Sequence, residues 1–181
     1  YAAVVFLNTT GDVLDETQQK AFEDYIHAGG GFVGVHAAAD TEYDWPWYGK
    51  LVGAWFRDHT KVMPNRVNVE DPTEISTIWM YASNPWPHED EWYAFRSNPR
   101  PNVHVLGTID DTLTGVNGMG GDHPIAWKHA FEGGRAWYTG MGHTKESYAD
   151  PVMLAHLKGG ILWASGLVNE DGSPNFGHWA R

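Results

Sequence analysis

Apolar residues along the chain fall into short continuous runs and periodic stripes, and each predicts an element. Residues 2–7 (Ala-Ala-Val-Val-Phe-Leu) and 32–35 (Phe-Val-Gly-Val) are unbroken runs too short for helices. Runs without alternation fit parallel strands covered on both faces, so other strands must flank residues 2–7. Between the two runs, Phe22, Tyr25 and Ile26 recur at helical spacing and predict a helix that stops at Gly29. Asp15 and Gln18 form the capping box that starts it. Strand, helix and strand over residues 2–35 make a right-handed βαβ unit. His36 follows at the carboxyl end of the second strand, with Ala37, Ala38 and Ala39 behind it. Ligands of open α/β sheets gather at such strand ends.

The pattern then loosens. Residues 41–48 form an aromatic, acidic loop and, coming directly after His36, are expected to wall the same site. Residues 50–56 read as a short helix closed by Arg57, Asp58 and His59. Partial alternation over residues 62–69 predicts a strand outside the parallel core. Residues 72–87 have no clean period and read as loop with a helical turn. The second half of residues 88–95 is strand-like, residues 103–109 are a β-branched strand, and residues 110–121 are a glycine-rich turn. Residues 124–127 and 135–139 flank Glu132, Gly133 and Gly134 and predict a β-hairpin. At Gly140-Met141-Gly142-His143 a second strand end presents a histidine. Asp150 and Pro151 are the N-cap and first residue of a last helix. Its expected buried face is Met153, Leu154, Leu157, Ile161 and Leu162, with Gly159 and Gly160 marking close packing. Residues 167–181 read as a tail or linker.

Composition narrows the function. The chain has 181 residues, 42% hydrophobic and 19% charged, as for one globular domain. A net charge of −11 disfavours nucleic acid and anionic membranes as partners. No apolar run approaches a membrane span. Cysteine is absent, which excludes disulfides, thiolate zinc sites and a cysteine nucleophile. Aromatic residues reach 14%. They fit either an aromatic core or flat surfaces that stack sugar rings.

Five histidines, His36, His59, His88, His123 and His143, sit near predicted strand ends or turns. Asp40, Asp58, Asp90, Glu91, Asp122 and Glu146 accompany them. Such groups serve as acids and bases, or as ligands for zinc or a similar divalent metal. No H-E-x-x-H spacing occurs, so a metal site would be assembled from distant segments, with His36, His59 and His143 as its ligands. Asp90 and Glu91 are either a general acid or base or a solvated turn. There is no G-x-S-x-G motif. The three glycines at 29–31 end a helix, the wrong order for a dinucleotide fingerprint.

Several segments, in order, carry a family resemblance: Gly-Gly-Gly-Phe-Val-Gly-Val-His-Ala-Ala-Ala-Asp (29–40), Leu-Val-Gly-Ala-Trp-Phe-Arg-Asp-His (51–59), Asp-Glu-Trp-Tyr-Ala-Phe (90–95), His-Pro-Ile-Ala-Trp (123–127) and Gly-His-Thr-Lys-Glu-Ser-Tyr (142–148). Together they resemble the trehalose-utilisation, ThuA-like family over residues 1–166. The resemblance implies a flavodoxin-like α/β three-layer sandwich, similar to class I glutamine amidotransferases, with a mainly parallel sheet plus the hairpin. His36 then stands where the amidotransferase cysteine would be, so amidotransferase chemistry is not expected. By the same resemblance His36, His59, Glu91, Tyr93, His143 and Glu146 fall on motif positions and converge at one end of the sheet. Family members usually begin with a further β-α segment before residue 2. Related domains occur in carbohydrate-processing contexts, some in secreted multidomain proteins, which implies an extracytoplasmic setting.

The leading expectation is a carbohydrate-active domain acting on a sugar or glycoside by hydrolysis, elimination or isomerisation. His36, Glu91 and His143 would be catalytic. Asp40, Trp45, His59, Tyr93, His123 and Glu146 would bind substrate in an aromatic, acidic cleft. Two alternatives are a non-catalytic carbohydrate-binding module of a larger secreted protein and a metal-dependent hydrolase.

Overall fold

The computed structural model describes residues 1–71, 83–169, 173–175 and 177. The elements are β1 (Ala3–Leu7), α1 (Glu16–His27), β2 (Gly31–Val35), a 3₁₀ turn (His36–Asp40), α2 (Pro46–Val52), β3 (Phe56–Val69), β4 (Trp86–Phe95), β5 (His104–Ile109), β6 (Pro124–Phe131), β7 (Gly134–Thr139) and α3 (Pro151–Ala164). The strands form one sheet in the order β1-β2-β7-β6-β5-β3-β4.

Among the strands of the described residues, only β1, β2 and β7 pair in parallel. The remaining pairings are antiparallel. The expectation of a mainly parallel sheet is thus corrected: the sheet is mixed. The physical reason is connection length. The βαβ crossover supplies the parallel pair β1-β2, whereas the tight turn at Glu132 and Gly133 can join only antiparallel strands. Among the described residues β1 pairs on one side only, with β2, and Val5 and Leu7 are exposed.

The parallel half matches the sequence pattern closely. Asp15 caps α1 through the backbone N–H of Gln18, whose side chain returns a bond to Asp15. Phe22 and Ile26 are the buried stripe of α1, and Phe22 lies near the rings of Phe6 and Phe32. All five residues of β2 are buried. Burying Phe32, Val33 and Val35 contributes about 1.5–3 kcal/mol each.

The later elements differ more. The second helix begins at Pro46, not near residue 50, because the proline suits the first helical position. Residues 57–59 belong to the long strand β3, and all of 86–95 is strand. In α3 the buried positions are Met153, His156, Gly159, Gly160, Trp163 and Ala164, whereas Leu154 and Ile161 are exposed. Gly160 explains the rotated face. A Cβ there would lie 2.4 Å from the Trp137 ring, so the helix seats its glycine side on the sheet. The loop-and-turn expectation for residues 72–82 and most of the tail lie outside the described residues.

The aromatic surplus is largely internal. Trp92, Trp127, Trp137, Tyr48, Tyr138, Phe32 and Phe95 are among the largest fully buried side chains.

Candidate active site

His36 opens the 3₁₀ turn with φ +48, a left-handed conformation rarely adopted by residues other than glycine. The surroundings hold it there. The Tyr138 hydroxyl donates to the His36 carbonyl at 2.8 Å. The His36 ring is 1% exposed, and its Nδ1 lies 2.8 Å from the Gly140 carbonyl oxygen. A carbonyl only accepts, so Nδ1 carries a proton and Nε2 faces the site. There Nε2 lies 3.3 Å from Glu91 Oε2.

Glu91 is the meeting point of three imidazoles. Besides His36, its Oε1 lies 3.0 Å from His59 Nδ1 and its Oε2 lies 3.4 Å from His143 Nδ1. The Glu91 side chain is 12% exposed, whereas those of His59 and His143 are 46% and 45% exposed. The cluster therefore has a buried floor and a half-open mouth. Burial alone would raise the Glu91 pKa. The His36 hydrogen bond and the charges of His143 and His59 outweigh it and hold Glu91 below the ordinary carboxylate value.

Each member is aimed by a specific feature. A register shift in the β3-β4 ladder lies between His59 and Val62, and such bulges re-aim side chains. Gly142, at φ +109, turns the chain after β7 so that His143 is presented. The buried carboxylate of Asp90 then fixes that turn. It accepts from the backbone N–H groups of Gly142 at 2.7 Å and His143 at 3.1 Å, and from Ser147 Oγ at 2.9 Å. It also accepts the Glu91 N–H at 3.0 Å. Burial pushes Asp90 up, but His88, Gly142, Ser147 and the Glu91 N–H outweigh it and hold the carboxyl at about 2. Asp90 is thus a permanent anion that braces the site, and Glu91 is the neighbour that faces it.

Tyr93 packs its ring 4.0 Å from the His36 ring and 4.4 Å from Phe56. Burial, followed by the charges of Glu91 and Asp40, pushes its phenol well above the ordinary value, so it stays a neutral donor. Asp40 accepts the Tyr43 hydroxyl at 2.6 Å.

The other expected site residues sit apart from the cluster. Trp45 is buried, stacked on Trp47 and Tyr48, with its indole N–H given to Glu23. Glu42 of the same loop is buried and accepts the Val13 and Leu14 N–H groups. At these two residues the expected site wall packs towards α1 instead, because its apolar rings gain more from the Phe22 core than from water. His123 is buried with Nδ1 2.6 Å from Asp111 and Nε2 2.8 Å from the Tyr93 carbonyl. It supports Tyr93 from behind. Glu146 is exposed on the loop after His143.

Asn8, which was not among the expected site residues, holds the same end of the sheet. Its side-chain amide donates to the Gly142 carbonyl at 3.1 Å, and its oxygen accepts the Ala37 N–H at 3.5 Å. It ties together the ends of β1, β2 and β7. The signal was an asparagine at a strand end, a residue that tolerates its φ of +52.

Chains of known structure share this architecture. A ThuA-like protein from Bacteroides uniformis superposes with a TM-score of 0.77 at 27% identity, covering 96% of this chain and 72% of that one. A ThuA-like protein from Parabacteroides merdae gives 0.74 at 22% identity, covering 91% and 70%. A β-galactosidase from Bacillus circulans shares the fold alone, at 0.60 and 12% identity over 93% of this chain and 24% of its own. No curated protein sequence matches. The family model described as trehalose utilisation matches residues 1–164, from the first strand to the end of α3, and the chain belongs to the ThuA family.

Proposed function

We propose that this chain is a carbohydrate-active enzyme that moves protons on a sugar or oxidised sugar at the Glu91 cluster. One observation carries the reading: three histidines from three separate segments converge on one largely buried carboxylate at a half-open mouth. Family membership supplies the substrate class. The core location of most tryptophans favours an enzyme over a binding module, which needs an exposed stacking platform. For the fold, we infer flavodoxin-like layering around β1, β2 and β7. It is supported by α1 packing near Phe32 and α3 packing on Trp137.

In this reading the substrate enters between His59 and His143. Glu91, kept ionised, accepts a proton from a sugar hydroxyl or from a carbon beside a sugar carbonyl. A histidine at the mouth returns a proton to the leaving or developing oxygen. The neutral Tyr93 phenol and Asp40 orient hydroxyl groups, and Glu146 on the exposed loop meets the outer part of a larger glycan. His123 acts through Tyr93. Elimination and isomerisation begin with such a transfer; in hydrolysis Glu91 takes its proton from the attacking water while the histidine protonates the departing glycosidic oxygen.

The test is incubation in deuterated buffer with trehalose, other disaccharides and keto-sugars, followed by NMR for product and for deuterium at sugar carbons. Wild type should give one of these. Glu91→Gln should lower the rate by about 10²-fold or more. Equal behaviour of the two proteins, or no turnover of any sugar, sinks the proposal.

A further inference from the structure

We infer that His36, Glu91 and His143 form a three-ligand site for a divalent transition-metal ion of the zinc type. One nitrogen from each histidine and one Glu91 oxygen all lie within 4.8 Å of one another, close enough to share one ion. Two imidazoles and one carboxylate select zinc and its neighbours over calcium or magnesium, which prefer all-oxygen shells.

Independent support comes from the hydrogen bonds behind the ligands. Metal-bound histidines usually give their other ring N–H to a carbonyl or carboxylate, which fixes the tautomer. His36 does this with the Gly140 carbonyl, leaving Nε2 to face the cluster. That nitrogen lies 3.3 Å from a Glu91 oxygen, so the two atoms face one another across a gap in which one cation can take both. Glu91 and His143 are braced by a single buried group, since Asp90 accepts both of their backbone N–H groups.

Three protein ligands with a half-exposed mouth is the arrangement of a catalytic metal site, where a water or substrate oxygen completes the shell. His59 is not one of the compact set. The ligand set expected from sequence, His36, His59 and His143, is therefore revised, with Glu91 in place of His59. His59 keeps its Nδ1 contacts to the Thr60 carbonyl and to Glu91 Oε1 and stands beside the ion as a proton-handling group.

Metal binding does not depend on which substrate the site takes, so the two ideas fail separately. The experiment uses protein purified without a histidine tag, stripped with a chelator and titrated with zinc by calorimetry. Wild type and His59→Ala should take up near one zinc per chain and gain melting temperature. His143→Ala should bind at least about 10-fold more weakly and lose that gain. Glu91→Gln is the second ligand variant, read the same way. His27→Ala, which breaks a surface His-Glu pair, should bind as wild type does. Zinc uptake by wild type no better than by His143→Ala, or uptake lost equally in His27→Ala, overturns the metal site. Zinc uptake that is intact in a protein turning over no sugar supports the metal site and sinks the enzyme reading alone.

Discussion

Two buried imidazoles, His36 and His123, are held by the same pair of groups and do opposite things. Each has a backbone carbonyl 2.8 Å from one ring nitrogen and a carboxylate near the other. At His123 the carboxylate is Asp111, 2.6 Å away, and Asp111 also accepts the Met119 and Gly121 N–H groups. Every donor and acceptor there is spoken for, so the pair is a closed strut. At His36 the carboxylate is Glu91, 3.3 Å away and shared with two half-exposed histidines. That carboxylate is shared by three imidazoles and opens to solvent beside His59 and His143. In the proposed reading, chemistry follows from this shared, open carboxylate and not from burial of the histidine.

The comparison can be broken in four ways. Glu91→Gln should cost the most in function, about 3–5 kcal/mol of transition-state stabilisation, with little change in urea midpoint. A large fall in stability would mean that Glu91, too, is a strut. His123→Ala should do the reverse and destabilise the fold by about 3 kcal/mol, because it strands a partly buried carboxylate. Urea unfolding measures this, and a loss under 1 kcal/mol would show that Asp111 needs no partner. His59→Ala should lower turnover roughly 10-fold and leave stability within about 0.5 kcal/mol, as expected for a group at the mouth. The smallest effect is in acid. Burial pushes Asp111 up, but the Met119 and Gly121 N–H groups and His123 outweigh it and lower its pKa. A folded value below the unfolded one gives stability that is complete above the ordinary carboxylate range and lost as pH falls below about 4. Asp111→Asn should flatten that acid limb of the stability curve. An unchanged curve would place the loss on other carboxylates.

How much of this was legible depended on how local the signal was. The βαβ unit, the Asp15 capping box and the Pro151 helix start are written in adjacent residues, and the structure has them where the pattern put them. The antiparallel half was blurred because β3 carries mixed residues on a long, bulged strand whose two faces meet different environments. His36, Glu91 and His143 were named from sequence, but their convergence is a tertiary fact. As neighbours in the residue pattern Asp90 and Glu91 were equal candidates, and only the family resemblance picked Glu91. Strand alternation separates them, sending Trp86, His88, Asp90 and Trp92 to one face and Glu91 and Tyr93 to the other. Trp45 misled because a tryptophan beside an acidic loop looks the same whether its ring faces a ligand or a core.

Asp90 also has an implication for how this site can change. One buried carboxylate supports the backbone beneath both Glu91 and His143. Substitutions at the two ends of the cluster therefore report to a shared foundation, and their effects should not add. A lineage that drifted at either residue would find its options at the other altered, so new specificities are more accessible at the mouth, through His59 and the loop of Glu146, than at the floor.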